Sequence, residues 1–112
     1  MDAVLCEDDV KQLAGVFKAL GDVNRLTIMG ILALKEREKV CVTDLAKILG
    51  ITQPAVSQHM KTLKTAGMVE AVKEGNFTYY SFNWDNVNLA KKRTDQLFDI
   101  ALEKRAHCKK LR

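Results

Sequence analysis

The segment over residues 43–69 constrains the fold more than any other part of the chain, because it predicts two helices joined by a tight turn. Thr43 is predicted to cap the first of these helices. Leu45, Ile48 and Leu49 then follow at the spacing of one helical face. A short amphipathic helix is therefore predicted from Thr43 onward.

A turn and a second helix follow. Gly50 stands where a helix ends in a left-handed residue. Thr52 is predicted to cap the second helix, and Pro54 is tolerated in its first turn because the missing N–H has no helical partner there. This helix is predicted over about residues 53–66, with Gly67 as its end. Two helices joined in this way form a helix-turn-helix.

The second helix has one apolar face and one polar face. At 100° per residue, Met60, Leu63 and Gly67 lie within roughly 40° of Val56, and these residues form the predicted buried stripe. No Asp or Glu occurs between residues 45 and 69, whereas a solvated helix usually carries charges of both signs. The polar face is therefore predicted to bind DNA rather than to be only a polar surface. Its side chains are Ser57, Gln58, Lys61, Thr62 and Thr65.

Length and composition predict one globular domain over residues 1–112, with 47% hydrophobic and 29% charged residues. The net charge of +4 mildly favours a polyanionic partner. Acidic residues interrupt the N-terminus, so a signal peptide is not predicted, and no apolar run approaches the roughly 18 residues of a membrane span. Three widely spaced cysteines do not resemble a secreted disulfide framework. A cytoplasmic location with reduced thiols is predicted.

Two helices are predicted before the helix-turn-helix. Asp8 and Asp9 place negative charge at the start of the first, which spans about residues 8–20. The second spans Val23–Leu34 and is capped by Asp22. Aliphatic residues nearly encircle it, so it is predicted to be the central buried helix. The predicted apolar stripe of the first helix consists of Val10, Leu13, Ala14, Phe17 and Leu20.

A β-hairpin over about residues 68–82 is predicted directly after the second helix of the motif. Its two strand-like runs are separated by Glu74-Gly75-Asn76, and glycine and asparagine suit a turn that needs positive φ. A hairpin in this position is the wing of a winged helix. Lys73 and Asn76 near its tip are predicted to contact phosphate or the minor groove, although a purely structural hairpin is the alternative. A further short strand is predicted over residues 40–42.

The last helix is predicted over about residues 86–107, with Asp85 or Asn86 as its cap. The first and last helices carry more apolar surface than one small winged domain can bury. Pairing of these helices in a C2 homodimer would complete the burial and set two recognition helices about 34 Å apart, on an inverted repeat. The predicted fold class is mainly α with a small β-hairpin: a dimeric winged helix-turn-helix with the N- and C-terminal helices at its interface.

The chain resembles the ArsR/SmtB family of metal- and thiol-responsive repressors over about residues 10–83. The most specific block is Gln53-Pro54-Ala55-Val56-Ser57-Gln58-His59-Met60, and residues 21–26, 40–46, 67–69 and 74–80 support it. The resemblance implies a dimeric winged-helix repressor that leaves its operator when an inducer binds. It also implies that Ser57 and Gln58 read bases, with Thr52 and Gln53 at the start of the helix.

The resemblance leaves the inducer open. Many metal sensors of the family carry Cys-Val-Cys where this chain has Cys41-Val42-Thr43, and a hydroxyl is a poor ligand for a soft metal. The family's zinc site on paired last helices is disfavoured because His107 is the only histidine there. Cys6, Cys41 and Cys108 remain. They form a site for a thiophilic metal or metalloid, act as a thiol-oxidant switch, or are structural. No cofactor is required for the fold.

Other interpretations also stay open. Asp95, Asp99 and Glu103 form either a solvated face or, with His107, a weak cation site across the dimer. His59 either packs at the edge of its helix or reads DNA. The alternative functions are an inducer-independent winged-helix regulator and a protein-interaction module with structural cysteines. A thiol enzyme is disfavoured, since the chain has neither Cys-x-x-Cys nor a nucleophile with a matched base.

Overall fold

The computed structural model describes residues 5–36 and 38–110, and the side chains of residues 107–110 lie outside that description. The described helices are α1 (Glu7–Leu20), α2 (Val23–Leu34), α3 (Val42–Leu49), α4 (Gln53–Thr65) and α5 (Trp84–Lys110). The described strands are β1 (Val40–Cys41), β2 (Val69–Glu74) and β3 (Phe77–Phe82). The predicted fold class, a mainly helical winged helix-turn-helix, is confirmed.

The strands form one antiparallel sheet in the order β1-β3-β2. Val40 pairs with Tyr80, which adds the short β1 to the hairpin. Glu74 pairs with Phe77 at the tip, where Gly75, with φ +60°, takes the first of the two turn positions. The predicted hairpin is therefore part of a three-stranded sheet.

The core lies between α1, α2, α3, α4 and the sheet. Ile28, Leu45, Val56 and Leu63 are fully buried, and Met60 is 1% exposed. Full burial of one such side chain stabilises the fold by about 1.5–3 kcal/mol. The predicted buried stripe of α4 is confirmed at its three large residues, and this stripe fixes which face of α4 points outward.

The prediction that α2 is the central buried helix is wrong. Only Ile28 and Leu32 of this helix are buried, whereas Val23 and Leu34 are 81% and 89% exposed. One face of α2 packs on α1, α4 and β3. Hydrophobic residues on every side of a helix predict that every side is buried. In a single chain of this size, other elements cover only one side of α2.

The core-facing side of α1 is also rotated from the prediction. Leu13, Val16 and Ala19 are buried, whereas Val10 and Phe17 are 43% and 45% exposed. These residues belong to one wide apolar arc, and periodicity alone does not determine which edge of an arc meets the core. Val10 and Phe17 therefore remain as exposed apolar surface on α1.

Cysteines are the N-cap residues of two helices. Cys41, not the predicted Thr43, is the N-cap of α3, and its backbone N–H donates to Oδ2 of Asp44 at 3.3 Å. Cys6 takes the same position in α1, where its N–H donates to Asp9 at 3.5 Å, so α1 begins at residue 7. In both cases an aspartate three residues on completes a capping box, with a thiol in the place of the usual hydroxyl.

The start of α5 differs from the prediction in the same way. The Asn83 side chain accepts the Asn86 N–H at 3.2 Å, so neither Asp85 nor Asn86 is the cap and the helix begins at Trp84. Asn86 instead donates from its side chain to the Gly67 carbonyl at 3.1 Å. This contact ties α5 to the turn that ends α4.

Helix α5 extends away from the core along a molecule 61 Å long and 25 Å wide. Arg93 joins it to α1, with one nitrogen 2.6 Å from Asp9 and another 2.8 Å from Gln12. Beyond that junction Phe98 and Leu102 are 58% and 63% exposed. Among the residues that the structure describes, no helix combines the length and the apolar character needed to cross a membrane.

Candidate nucleic-acid interface

The turn between α3 and α4 sets the direction of α4. Gly50 has φ +67°, and its N–H donates to the Ala46 carbonyl at 2.9 Å. Thr52 caps α4 by accepting the Ala55 N–H at 3.2 Å, and Pro54 lies in the first turn. The predicted roles of Gly50 and Thr52 are confirmed. A stiff connection of three residues therefore holds α4 against α3, as a helix-turn-helix requires.

The outer face of α4 presents the polar side chains predicted to contact DNA. Gln53, Ser57, Gln58 and Lys61 are exposed. Thr62 is half-buried, and its hydroxyl donates to the Gln58 carbonyl at 3.2 Å. This face carries donors, acceptors and positive charge without a carboxylate, which suits contact with base edges and phosphates.

The wing offers a second polar surface. Lys73 and Asn76 are exposed at and beside its tip. Lys39, just before β1, braces the wing, with its ammonium 2.5 Å from Glu74 and 5.3 Å from the centre of the Tyr79 ring. The hydrogen bond from Lys39 to Glu74 raises the pKa of the lysine above its ordinary value. Glu74 is thus paired at the tip, which leaves Lys73 without a neighbouring unpaired carboxylate on β2.

Arg25, which the sequence analysis did not single out, links α4 to α1 and α2. Arg25 donates from Nε to the Ala19 carbonyl, and its Nη1 lies 3.3 Å from Nδ1 of His59. Asp22 caps α2 and lies 3.9 Å from the same histidine nitrogen. The hydrogen bond from the Arg25 N–H is the main cause that lowers the pKa of Asp22. These contacts favour the interpretation that His59 packs at the edge of α4.

Cys6 and Cys41 are the N-cap residues of α1 and α3, whereas Cys108 lies near the C-terminal end of α5. Cys6 is exposed and Cys41 is half-buried, while the side chain of Cys108 lies outside the described residues. Cys41 Sγ donates to Asp44 at 3.2 Å, and this hydrogen bond, followed by the one from the Cys41 N–H, lowers the pKa of Asp44. Within residues 5–36 and 38–106, no three His, Cys, Asp or Glu side chains are grouped to hold a metal ion. The thiol-sensor hypotheses stay predictions.

The acidic stripe of α5 is solvated. Asp95, Asp99 and Glu103 are exposed, and the Lys91 ammonium lies 2.6 Å from Asp95. This pairing supports the solvated-face interpretation. The side chain of His107, the last member of the stripe, lies outside the described residues.

Residues 22–71, from the cap of α2 into β2, match the family model described as bacterial regulatory protein, arsR family. An uncharacterised HTH-type transcriptional regulator of Methanocaldococcus jannaschii is 39% identical over 87 residues, which cover 78% of this chain and 96% of that protein. The arsenical resistance operon repressor of Bacillus subtilis is 42% identical over 72 residues, which cover 64% of this chain and 67% of that protein.

Solved structures agree with the sequence matches. An ArsR-like transcriptional regulator from Rhodococcus sp. RHA1 superposes with a TM-score of 0.79 at 26% identity, over 93% of this chain and 95% of that chain. The homodimeric winged helix-turn-helix DNA-binding domain of a possible ArsR-family regulator from Mycobacterium bovis gives a TM-score of 0.65 at 29% identity, again over 93% and 95% of the two chains. The Rhodococcus protein and the Methanocaldococcus jannaschii relative are named as transcriptional regulators, the Mycobacterium bovis protein as a possible one, and the Bacillus subtilis relative as a repressor.

Proposed function

Because the chain belongs to the ArsR family of bacterial regulatory proteins, which are transcriptional regulators and not enzymes, we propose that it is a homodimeric repressor that binds an inverted-repeat operator. The observation that carries this proposal is the outer face of α4, which is polar, basic and free of carboxylates. A protein-interaction module would favour acidic or apolar groups on that face. A cytoplasmic location stays a prediction from the sequence.

In this proposal α4 lies in the major groove. Ser57, Gln58 and Lys61 supply base or near-base contacts, and Gln53 and Thr62 flank them on exposed or half-buried positions. An amide such as that of Gln58 can bind adenine through two hydrogen bonds, which gives it base specificity. The hydroxyl oxygen of Thr52 accepts the Ala55 N–H, so its O–H remains as the group that donates to a phosphate.

The wing contributes the backbone contacts. Lys73 neutralises a phosphate and Asn76 reaches the adjacent sugar or minor groove, since both are exposed at the end of the hairpin. Each neutralised phosphate releases counterions, so the affinity of the complex falls as the salt concentration rises. These contacts position the protein but carry little sequence information.

Apolar surface on α1 and α5 supports the dimer. Val10 and Phe17 on α1 and Phe98 and Leu102 on α5 are between 43% and 63% exposed. A partner subunit that packs along both helices would cover these large exposed side chains. The similar Mycobacterium bovis domain is homodimeric. A C2 pair formed through α1 and α5 would bury these side chains and present two α4 helices to successive major grooves.

An inducer would release the repressor by binding more tightly to a state whose two α4 helices no longer match the groove spacing. A thiophilic metal or metalloid, or a thiol oxidant, is the proposed class, with Cys6, Cys41 and Cys108 as the candidate sensor thiols. One of the relatives is an arsenical resistance operon repressor, which supports this class. An inducer-independent regulator with structural cysteines is the second candidate.

The base-reading role is tested by replacing Gln58 with alanine. The operator is first selected from random duplexes, and affinities for every single-base variant of it are then measured by fluorescence anisotropy. Loss of the amide should remove about 1–3 kcal/mol of discrimination at one base pair of each half-site. Gln96→Ala on α5 is the matched control and should leave every preference unchanged. An unaltered preference in the Gln58 variant would remove this assignment.

A further inference from the structure

We propose that the groove between α1 and α4 holds a phosphate of the DNA backbone, with the ammonium groups of Lys18 and Lys61 as its ligands, so that the near-base contact of Lys61 is made to this phosphate. The inference rests on the proposed DNA-binding function and adds to it a contact from α1, a helix outside the helix-turn-helix. Lys18 thereby becomes a DNA-contacting residue that neither the motif nor the wing would include.

The groove has a volume of about 450 Å³ and is open to solvent. Small residues leave it room, because a Cβ built on Gly15 would meet nothing within 4 Å, and Ala19 forms part of its lining. Three helices contribute to it. The residues that matter to the argument are Gly15, Lys18 and Ala19 of α1, Arg25 of α2, and Lys61 and Thr65 of α4.

The charges that line the groove are all positive. Lys18, Arg25 and Lys61 contribute to its lining, and no Asp or Glu does so among the described residues. Neither Lys18 nor Lys61 takes part in an ion pair within the described part of the chain, unlike Lys11, which lies 3.3 Å from Glu7. Like charges that line one groove repel each other, and an anion placed between them replaces repulsion with attraction.

Arg25 adds charge in a fixed position. Its guanidinium is held by the Ala19 carbonyl and by His59, so little further conformational entropy is lost when an anion approaches. The Thr65 hydroxyl, on the exposed side of α4, supplies a neutral donor to the same groove. Ammonium, guanidinium and hydroxyl donors around a small open space are the groups that bind phosphate oxygens.

The source of the phosphate follows from the position of the groove. Gln58, Lys61 and Thr62 line it and also belong to the face of α4 that is proposed to enter the major groove. An α-helix about 10–12 Å wide fills that groove, whose width is about 12 Å. The flanks of α4 therefore lie next to the two DNA backbones that border the major groove. The groove between α1 and α4 opens on one of these flanks.

The proposed dimer leaves this groove open. At 100° per residue around α1, the exposed apolar residues Val10 and Phe17 lie roughly 140–180° from Gly15 and Ala19 at the base of the groove, and roughly 80–100° from Lys18. One flank of α1 is thus available for the partner subunit and the opposite flank for DNA. The same helix can serve both contacts at once.

The experiment compares Lys18→Ala with Lys11→Ala, two exposed lysines on one helix. Equilibrium affinities are measured between about 50 and 200 mM salt, on the operator and on an unrelated duplex. Loss of one phosphate contact makes the negative slope of log K against log salt shallower by about 0.9 per subunit. The ratio of the wild-type affinity to that of the Lys18 variant therefore shrinks about 3.5-fold per subunit over that range. Both duplexes should be affected equally, and the Lys11 variant should match the wild type.

A double-variant cycle tests whether the two lysines share one phosphate. Lys18→Ala and Lys61→Ala should then give losses of affinity that are not additive, because the two side chains act on one group. Additive losses would overturn the shared site. Thermal unfolding of each variant confirms that the fold is retained, as expected for exposed side chains.

Other outcomes contradict the proposal in distinct ways. If the Lys18 variant binds DNA like the Lys11 variant, the proposed phosphate contact in the groove is refuted and the proposed repressor function is unaffected. A loss confined to the operator makes Lys18 a base contact. Calorimetry on the DNA-free protein measures whether the groove binds inorganic phosphate. If Lys18→Ala abolishes that binding but leaves the affinity for both duplexes unchanged, the groove binds a free anion and not the DNA backbone. A wild-type chain that binds no DNA at any salt concentration removes the proposed function itself, and the groove proposal with it.

Discussion

Replacement of Gly67 by alanine should destabilise the chain by about 2 kcal/mol, through two separable effects. Gly67 has φ +78°, in a region where an L-residue with a Cβ pays about 1–2 kcal/mol. A Cβ there would also stand 2.8 Å from Nδ2 of Asn86, which donates to the Gly67 carbonyl at 3.1 Å. The amide must move, and loss of its hydrogen bond costs about 0.5–1.5 kcal/mol.

Gly50→Ala separates the two effects. Gly50 has a similar φ of +67°, but a Cβ built there meets nothing within 4 Å. It therefore carries the backbone cost alone, partly offset by the lower entropy of the unfolded chain, and should lose about 1 kcal/mol. The remaining difference of about 1 kcal/mol is the contribution of the Asn86 contact between α5 and the end of α4.

Urea unfolding followed by circular dichroism, at one protein concentration for all variants, measures these differences. In an Asn86→Ala background, Gly67→Ala should cost no more than Gly50→Ala does in the wild type. The reasoning is refuted when Gly67→Ala is no more destabilising than Gly50→Ala, or when its excess cost persists without Asn86.

Two further predictions concern α5 and α3. Arg93→Ala should destabilise the chain by about 1–3 kcal/mol in the same urea assay, because it removes the charged hydrogen bonds to Asp9 and Gln12. Replacement of its exposed neighbour, Lys92→Ala, should change the stability by less than about 0.5 kcal/mol. Equal effects of the two substitutions would contradict the link between α1 and α5. The pKa of Asp44 is lowered in the folded state, so its contribution to stability is full above its unfolded value and is lost as the pH falls through its folded value. Asp44→Asn should therefore flatten the loss of thermal stability below about pH 5, and an unchanged acid profile would argue against this role.

The sequence predicted the helix-turn-helix well because its signals are local. Gly50 and Thr52 act on the backbone within four residues of themselves, and the apolar stripe of α4 is set by helical periodicity. The cap of α3 was missed because Cys41 replaces the hydroxyl that usually marks a capping box. The presence of Asp44 three residues later was the signal that could have found it.

The side-chain contacts that join one helix to another could not be predicted in this way. Arg25 and His59 are 34 residues apart, and Arg93 and Asp9 are 84 residues apart. No spacing rule connects such pairs, because only the packed helices bring them together. For the same reason the sequence placed Lys61 on the DNA-binding face but gave no indication that Lys18 lies across a groove from it.

The central claim is that two copies of this chain present their α4 helices to successive major grooves of one operator. Selection from a random duplex library, followed by sequencing of the bound fraction, tests it most directly. The account predicts an enriched inverted repeat whose half-sites have centres about 10 base pairs, or a multiple of that distance, apart. Enrichment of a single half-site would contradict the paired helices, and no enrichment at all would contradict sequence-specific binding by α4.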